Sequence, residues 1–200
     1  MWFKKQQKTK QFNANTPTVH GKSDVGKVRS NNEDFFRILV GKDAPVGIDA
    51  IMVVADGMGG HAAGEVASEM AVEGLVNLIT SRSQDATMPL GGYSQLLSQM
   101  LSEVNREVYE AGQEPKHKGM GTTCTAAVLK GNELYIAHIG DSRCYILRNG
   151  KLIQITKDHG WVAEHLEAGT ITPDQALNHR YRNVVTRAVG TGSEVISDTF

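Results

Sequence analysis

From Asp49 to Ala55 the chain is apolar after its first residue, a run of the length of a buried strand. The glycine-rich stretch Asp56-Gly57-Met58-Gly59-Gly60 follows it directly. Two earlier segments, 19–24 and 34–40, also read as strands, separated by turns containing Gly and Pro. Between 62 and 81 the period changes. Ala63, Val66, Ala67, Met70, Leu75, Leu78 and Ile79 recur at helical spacing, with Glu65, Glu69 and Glu73 near the other side. Gly74, near this stripe, predicts close packing against a neighbour. A polar, glycine-rich link over 81–92 leads to a second amphipathic helix marked by Leu96, Leu97, Met100, Leu101, Val104 and Val108.

Beyond Gly121 the period shortens to that of a β-meander, with strands at 122–129, 133–139, 143–147 and 151–155. Lys130-Gly131-Asn132 and Arg148-Asn149-Gly150 supply the residues that tight hairpins need. Both alternating sets of the 133–139 strand are mostly apolar, which predicts cover on both faces. Helical sequence returns at 161–168 and after Pro173, and a last strand is expected at 183–189. Strands, a helix pair and more strands make an α+β domain.

Composition narrows the classes. A chain of 200 residues with 40% hydrophobic content is one domain, large enough for a real core. Its formal net charge of -1, from 21 basic and 22 acidic residues, offers no electrostatic grip on nucleic acid or an anionic membrane. Residues 1–17 carry Lys4, Lys5, Lys8 and Lys10 among polar residues and read as a flexible basic tail; the domain occupies 18–200. Polar residues follow the basic start, unlike a signal peptide, and no apolar run is long enough to span a bilayer, so a cytoplasmic location is expected. Cys124 and Cys144 are too few for a disulfide framework. Neither has an arginine six positions on, where Lys130 and Gly150 stand, which argues against cysteine-based phosphate chemistry.

Asp56, delivered from an apolar strand into glycines, has two readings. It caps the next helix, or it joins the Gly57 carbonyl as a hard oxygen ligand for Mg²⁺ or Mn²⁺. Other segments bear on the choice: Val25-Gly26-Lys27-Val28-Arg29-Ser30-Asn31-Asn32-Glu33-Asp34, Gly119-Met120-Gly121-Thr122-Thr123, Ile139-Gly140-Asp141-Ser142-Arg143, Lys157-Asp158-His159 and Arg182-Asn183-Val184-Val185-Thr186-Arg187-Ala188-Val189-Gly190. With Asp56-Gly57, in this order, they make the chain resemble the bacterial branch of the PP2C-type metal-dependent protein serine/threonine phosphatases from about Val19 to its end.

The resemblance implies a PP2C-like α-β-β-α sandwich, two stacked antiparallel sheets flanked by helices, with metals at one edge. It implies two Mn²⁺ or Mg²⁺ ions bridged by Asp56, with Gly57 on one of them, and Glu33 and Asp34 holding metal-bound waters. Arg29 would bind the substrate phosphate through its planar fork. Asp141 is placed near an additional ion that some members hold. Animal relatives carry a histidine directly after the Asp-Gly pair, where Met58 stands here; His61 is therefore a candidate accessory group only, and a helix-start histidine without catalytic duty is the alternative. The other histidines show no zinc-ligand spacing. The expected partners are phosphorylated proteins and an opposing serine/threonine kinase.

The family's later Ser-Asp-Gly turn and Asp-Asn pair, whose aspartates bind metal, do not occur among these 200 residues, and Asp198 fits the preceding strand instead. The expectation is therefore a C-terminally incomplete domain that binds Mn²⁺ weakly and turns over slowly. Two other readings stand beside it: a non-catalytic regulator that binds phosphoproteins through Arg29, and a hydrolase of small phosphate esters. No Gly-x-Ser-x-Gly elbow supports serine hydrolase chemistry, and no Gly-Lys-Ser/Thr ending makes a P-loop.

Overall fold

Two apolar runs separated by a short turn pair as antiparallel strands, β1 (Asp34–Val40) and β2 (Ala50–Met58), from Asp34 opposite Asp56 to Val40 opposite Ala50. The computed structural model describes residues 16–59, 62–82 and 92–200. Two long helices follow, α1 (Ala62–Arg82) and α2 (Gly92–Ala111). Then come β3 (Gly121–Thr122), β4 (Cys124–Lys130), β5 (Glu133–Ile139), β6 (Tyr145–Arg148) and β7 (Lys151–Gln154). Two short helices, α3 (Trp161–Glu167) and α4 (Pro173–Leu177), precede β8 (Asp198–Thr199).

The main sheet is antiparallel in the order β1-β2-β4-β5-β8, with β3 on the end of β2; β6 and β7 form a second, two-stranded sheet. Strand alternation sends Ile51, Val53 and Ala55 of β2, Cys124, Ala126 and Val128 of β4, and Ala137 and Ile139 of β5 into the core with α1 and α2. The helices answer with Ala67, Ala71, Leu75 and Ile79, and with Leu97, Leu101, Val104 and Val108. Each larger side chain buried in this way stabilises the fold by about 1.5–3 kcal/mol. Gly74 does bring the helices together: a Cβ there would meet Val104 Cγ2 at 3.4 Å. Both meander hairpins carry their expected conformations, with Asn149 (φ 52°) and Gly150 (φ 74°) both left-handed.

Several expectations change. Residues 19–24 form no strand: the segment crosses the face of β1, and Gly21 lies so close to Phe36 and Ile38 that a Cβ would fall 2.4 Å from the Phe36 ring. Asp56 does not end its strand, because β2 runs on to Met58 through pairing with β3. Residues 183–189 make only two isolated bridges, Gly160 with Val185 and Thr122 with Val189, since these residues pair with two different elements. Cover on both faces of β5 is reached only in its second half, where Ile136, Ala137, His138 and Ile139 are all buried. The tail, apart from residues 16 and 17, lies outside the described residues. Asp198 does fall in a strand, β8, which pairs with β5.

Candidate active site

Three backbone segments meet at the end of β2 at a distance only glycine permits. The Glu33 carbonyl accepts from the Gly57 N–H (3.0 Å) and from the Ser68 hydroxyl of α1 (2.6 Å). A Cβ on Gly57 would lie 2.0 Å from the Gly64 carbonyl oxygen, and one on Gly64 would lie 3.0 Å from the Glu33 carboxyl. The polar turn before β1 is thus tied to both strand and helix. Asn31 Nδ2 donates to Glu65 Oε2 (3.1 Å), and the Asp34 N–H donates to Asn32 Oδ1 (3.2 Å). Arg29 at the start of this turn is largely exposed and pairs with the nearly buried Glu33, Nη1 to Oε2 at 3.0 Å.

The register then places Asp34 directly opposite Asp56. Two carboxylates at facing positions repel each other. Burial, followed by the charges of Asp34 and Asp141, pushes the Asp56 carboxyl above its ordinary range; Glu33 adds to the effect and Arg29 opposes it. The Asp141 turn is fastened to Asp56 through Thr123. The Asp56 N–H donates to Thr123 Oγ1 (2.9 Å), which lies 2.7 Å from Ser142 Oγ, and the Asp56 carbonyl accepts from the Thr123 N–H (3.0 Å) and the Thr122 hydroxyl (2.9 Å). Gly140, at φ 109°, leaves room for the Thr123 side chain.

These groups line a cavity of about 530 Å³, bounded by Arg29, Glu33, Asp56, Gly57, Met58, Gly59, Thr123, Asp141, Asn183 and Val185. Asp34 lines a smaller cavity of about 200 Å³ that shares Asp56. Five of the residues singled out in the sequence, Arg29, Glu33, Asp56, Gly57 and Asp141, therefore surround one space, with Asp34 beside it. His61 lies outside the described residues.

Thr123, Asn183, Val185 and His159 belong to segments quoted from the sequence, but nothing in their residue type marks them for the site. His159 is buried beneath the Asp141 turn. Its Nδ1 accepts from the Gly140 N–H (3.0 Å), and its own N–H donates to the Gly140 carbonyl (2.7 Å). Acceptance at Nδ1 requires the neutral ring, with Nε2–H turned toward Asp198 Oδ2 at 3.1 Å. Burial holds the pKa values of His159 and of its ring neighbour His138 below the ordinary histidine value of 6.5. Both cysteines are free, and burial pushes the Cys124 thiol up to about 12, so neither is an activated nucleophile.

The carboxylates suit hard divalent cations. Opposed Asp34 and Asp56, with a raised Asp56 pKa, are the arrangement that a cation relieves. Among the described residues, however, no three His, Cys, Asp or Glu side chains are grouped tightly enough to hold an ion by themselves. Asp56, the Gly57 backbone, Glu33 and Asp141 border one cavity with Asp34 beside it, so these are the oxygen-bearing groups that could hold a cation there. No described helix is long and apolar enough to cross a membrane.

Residues 26–198 match the family model described as protein phosphatase 2C. The serine/threonine phosphatase stp of Listeria monocytogenes is 41% identical over 182 residues, covering 90% of this chain and 69% of the relative. The serine/threonine phosphatase of S. agalactiae superposes with a TM-score of 0.78 at 36% identity, covering 88% of this chain and 70% of that one. The catalytic domain of the serine/threonine protein phosphatase PstP, solved in complex with 2 manganese ions, gives a TM-score of 0.68 at 38% identity over 90% of this chain and 69% of that one. Relatives named as phosphatases favour an enzyme over a binding-only regulator. With two antiparallel sheets flanked by helices, and an acidic cavity at the end of β2, the chain belongs to the protein phosphatase 2C family of serine/threonine phosphatases.

Proposed function

We propose that this protein serine/threonine phosphatase works with two Mn²⁺ or Mg²⁺ ions held at Asp56 and the Gly57 carbonyl, with Glu33 and Asp34 reaching them through water. Asp141, which borders the same cavity, would serve an additional ion. The carrying observation is the facing pair Asp34 and Asp56, whose mutual repulsion and raised Asp56 pKa favour a bound cation. The manganese ions of PstP support the choice of metal. When bound, such ions lower the pKa of water and offset the charge of the phosphoryl oxygens.

The chain's own groups do the positioning. Arg29 presents its guanidinium at the cavity mouth, held by Glu33, where it can take two phosphate oxygens at once. The Thr123 bridge keeps Asp56 and Asp141 on one wall. Among the described residues one carboxylate and one carbonyl, Asp56 and Gly57, serve as direct ligands, and a pair this small holds Mn²⁺ weakly. The substrates are phosphorylated proteins of the cytoplasm, written by an opposing serine/threonine kinase.

Hydrolysis of a phosphothreonine peptide, followed by phosphate release alongside calorimetry with Mn²⁺, tests this reading. Slow hydrolysis that requires millimolar Mn²⁺, stops on chelation and disappears in Asp56→Asn is expected. Hydrolysis unaffected by chelation overturns the metal reading, and tight two-site Mn²⁺ binding overturns the weak-site reading. Faster turnover of a nucleotide than of the peptide would move the substrate to small phosphate esters.

A further inference from the structure

Part of the cavity lining comes from the 179–187 loop, which has no regular secondary structure, yet its backbone is closely held. The Arg182 N–H donates to the His179 carbonyl (3.1 Å), Val184 N–H to Tyr181 (3.0 Å), Trp161 N–H to Val184 (2.9 Å) and Thr186 N–H to His159 (2.9 Å). Trp161 anchors the outside, with its ring stacked between His165 (3.6 Å between centroids) and His179 (4.3 Å), and Tyr181 meeting it edge-on. His159 also bonds to Gly140 through both backbone N–H and ring, so the loop is fastened to the Asp141 turn. Asn183 and Val185, two residues apart, line the cavity from this loop.

The polar side chains around the cavity divide by charge. Glu33, Asp56, Asp141 and Arg29 are ionic and suited to cations and phosphate, and the Thr123 hydroxyl is engaged with Asp56 and Ser142. Asn183 is the remaining polar group: it is neutral and exposed, and its amide has no hydrogen-bond partner among the described residues. A carboxamide offers two N–H donors and a carbonyl acceptor, the complement of a peptide group. A free amide held on a hydrogen-bonded backbone lines the same cavity as Arg29, within the space that a bound phosphopeptide would share.

We propose that Asn183 binds the substrate's peptide backbone, hydrogen-bonding a main-chain amide next to the phosphorylated residue, and so favours phosphopeptides over small phosphate esters. This rests on the phosphatase reading of the same cavity. Val185 offers the neighbouring apolar contact.

The test measures binding by the full 200-residue chain in Mn²⁺, using two non-hydrolysable probes. One is a fluorescent peptide bearing a phosphonate in place of phosphothreonine phosphate; the other is phenylphosphonate, read by competition. The parent should bind the peptide more tightly than phenylphosphonate. Asn183→Ala should weaken the peptide about three- to tenfold, the net worth of one hydrogen bond, with phenylphosphonate affinity and melting temperature unchanged. An unchanged peptide affinity overturns the proposal. So does an equal loss for both probes, which would make Asn183 a phosphate ligand. A parent that binds neither probe overturns the phosphatase reading itself, a result distinct from a failure of Asn183 alone.

Discussion

Replacing Asp56 by asparagine separates stability from function at a single atom. Asp56 faces Asp34 across the β1–β2 ladder, and facing like charges cost about 0.2–1 kcal/mol. Burial and the Asp141 charge act in the same direction. A group whose folded pKa is raised binds more protons in the folded state than in the unfolded one between its ordinary value, 3.8 here, and the raised value. Folding therefore loses stability as pH rises through that window, and the loss persists at neutral pH. The asparagine side chain has nearly the same volume and can donate to Asp34, so the metal-free Asp56→Asn variant should be more stable at pH 7 by about 1 kcal/mol. For a chain of this size that is ~2–4 °C in melting temperature, and the gap should close below the ordinary carboxyl value. Adding Mn²⁺ reverses the order. With a dissociation constant on the order of 1 mM, about 10 mM Mn²⁺ stabilises the parent by roughly 1.4 kcal/mol and leaves the variant almost unmoved. Thermal melts in chelator and in Mn²⁺, at pH 7 and in acid, read all four states. A variant less stable than the parent in chelator, or one that gains as much from Mn²⁺, would refute the reasoning.

Gly57→Ala should cost about 3 kcal/mol or more in urea denaturation, because its Cβ would stand 2.0 Å from one backbone oxygen and 2.7 Å from another; a cost below ~1 kcal/mol would show that the joint can open. Arg29→Ala should leave the urea midpoint almost unchanged, since the side chain is mostly exposed, while phosphopeptide turnover falls roughly 10–100-fold, the worth of a charge-assisted contact. Asn105→Ala should destabilise by about 2–3 kcal/mol, because Asn105 is buried and serves both the Gly190 N–H (2.8 Å) and the Gly192 carbonyl (3.0 Å). His138 and His159 have lowered folded-state pKa values, so they should withdraw stability as pH falls below 6.5. Urea midpoints between pH 7.5 and 5.5 should show that loss, and His159→Asn, which can still accept from Gly140, should flatten it.

Segments whose period and punctuation agree were legible from residues alone. The stripe beginning at Ala63 became α1, Leu96 to Val108 fell within α2, and Glu133 to Ile139 became β5 with the same ends. Asn149-Gly150 turned where it should, because few residues other than Asn and Gly adopt positive φ readily. Segments held by long-range partners were not legible. Residues 19–24 have strand-like composition but find a side-chain face in place of a strand edge. Residues 183–189 are divided between Gly160 and Thr122.

By itself, the sequence determined the α+β order, the apolar faces and the residue types at the site, because helical and strand periods and the chemistry of Arg, Asp, Glu and Gly are properties of the local chain. Only the tertiary structure decided that Asp34 faces Asp56, that Thr123 ties Asp56 to the Asp141 turn, that His159 fastens the 179–187 loop to that turn, and that Asn183 lines the same cavity. Those relations depend on strand register and on contacts between residues far apart in sequence. No local pattern records such contacts, since the energy that selects them is gained only when the whole sheet and its helices close together.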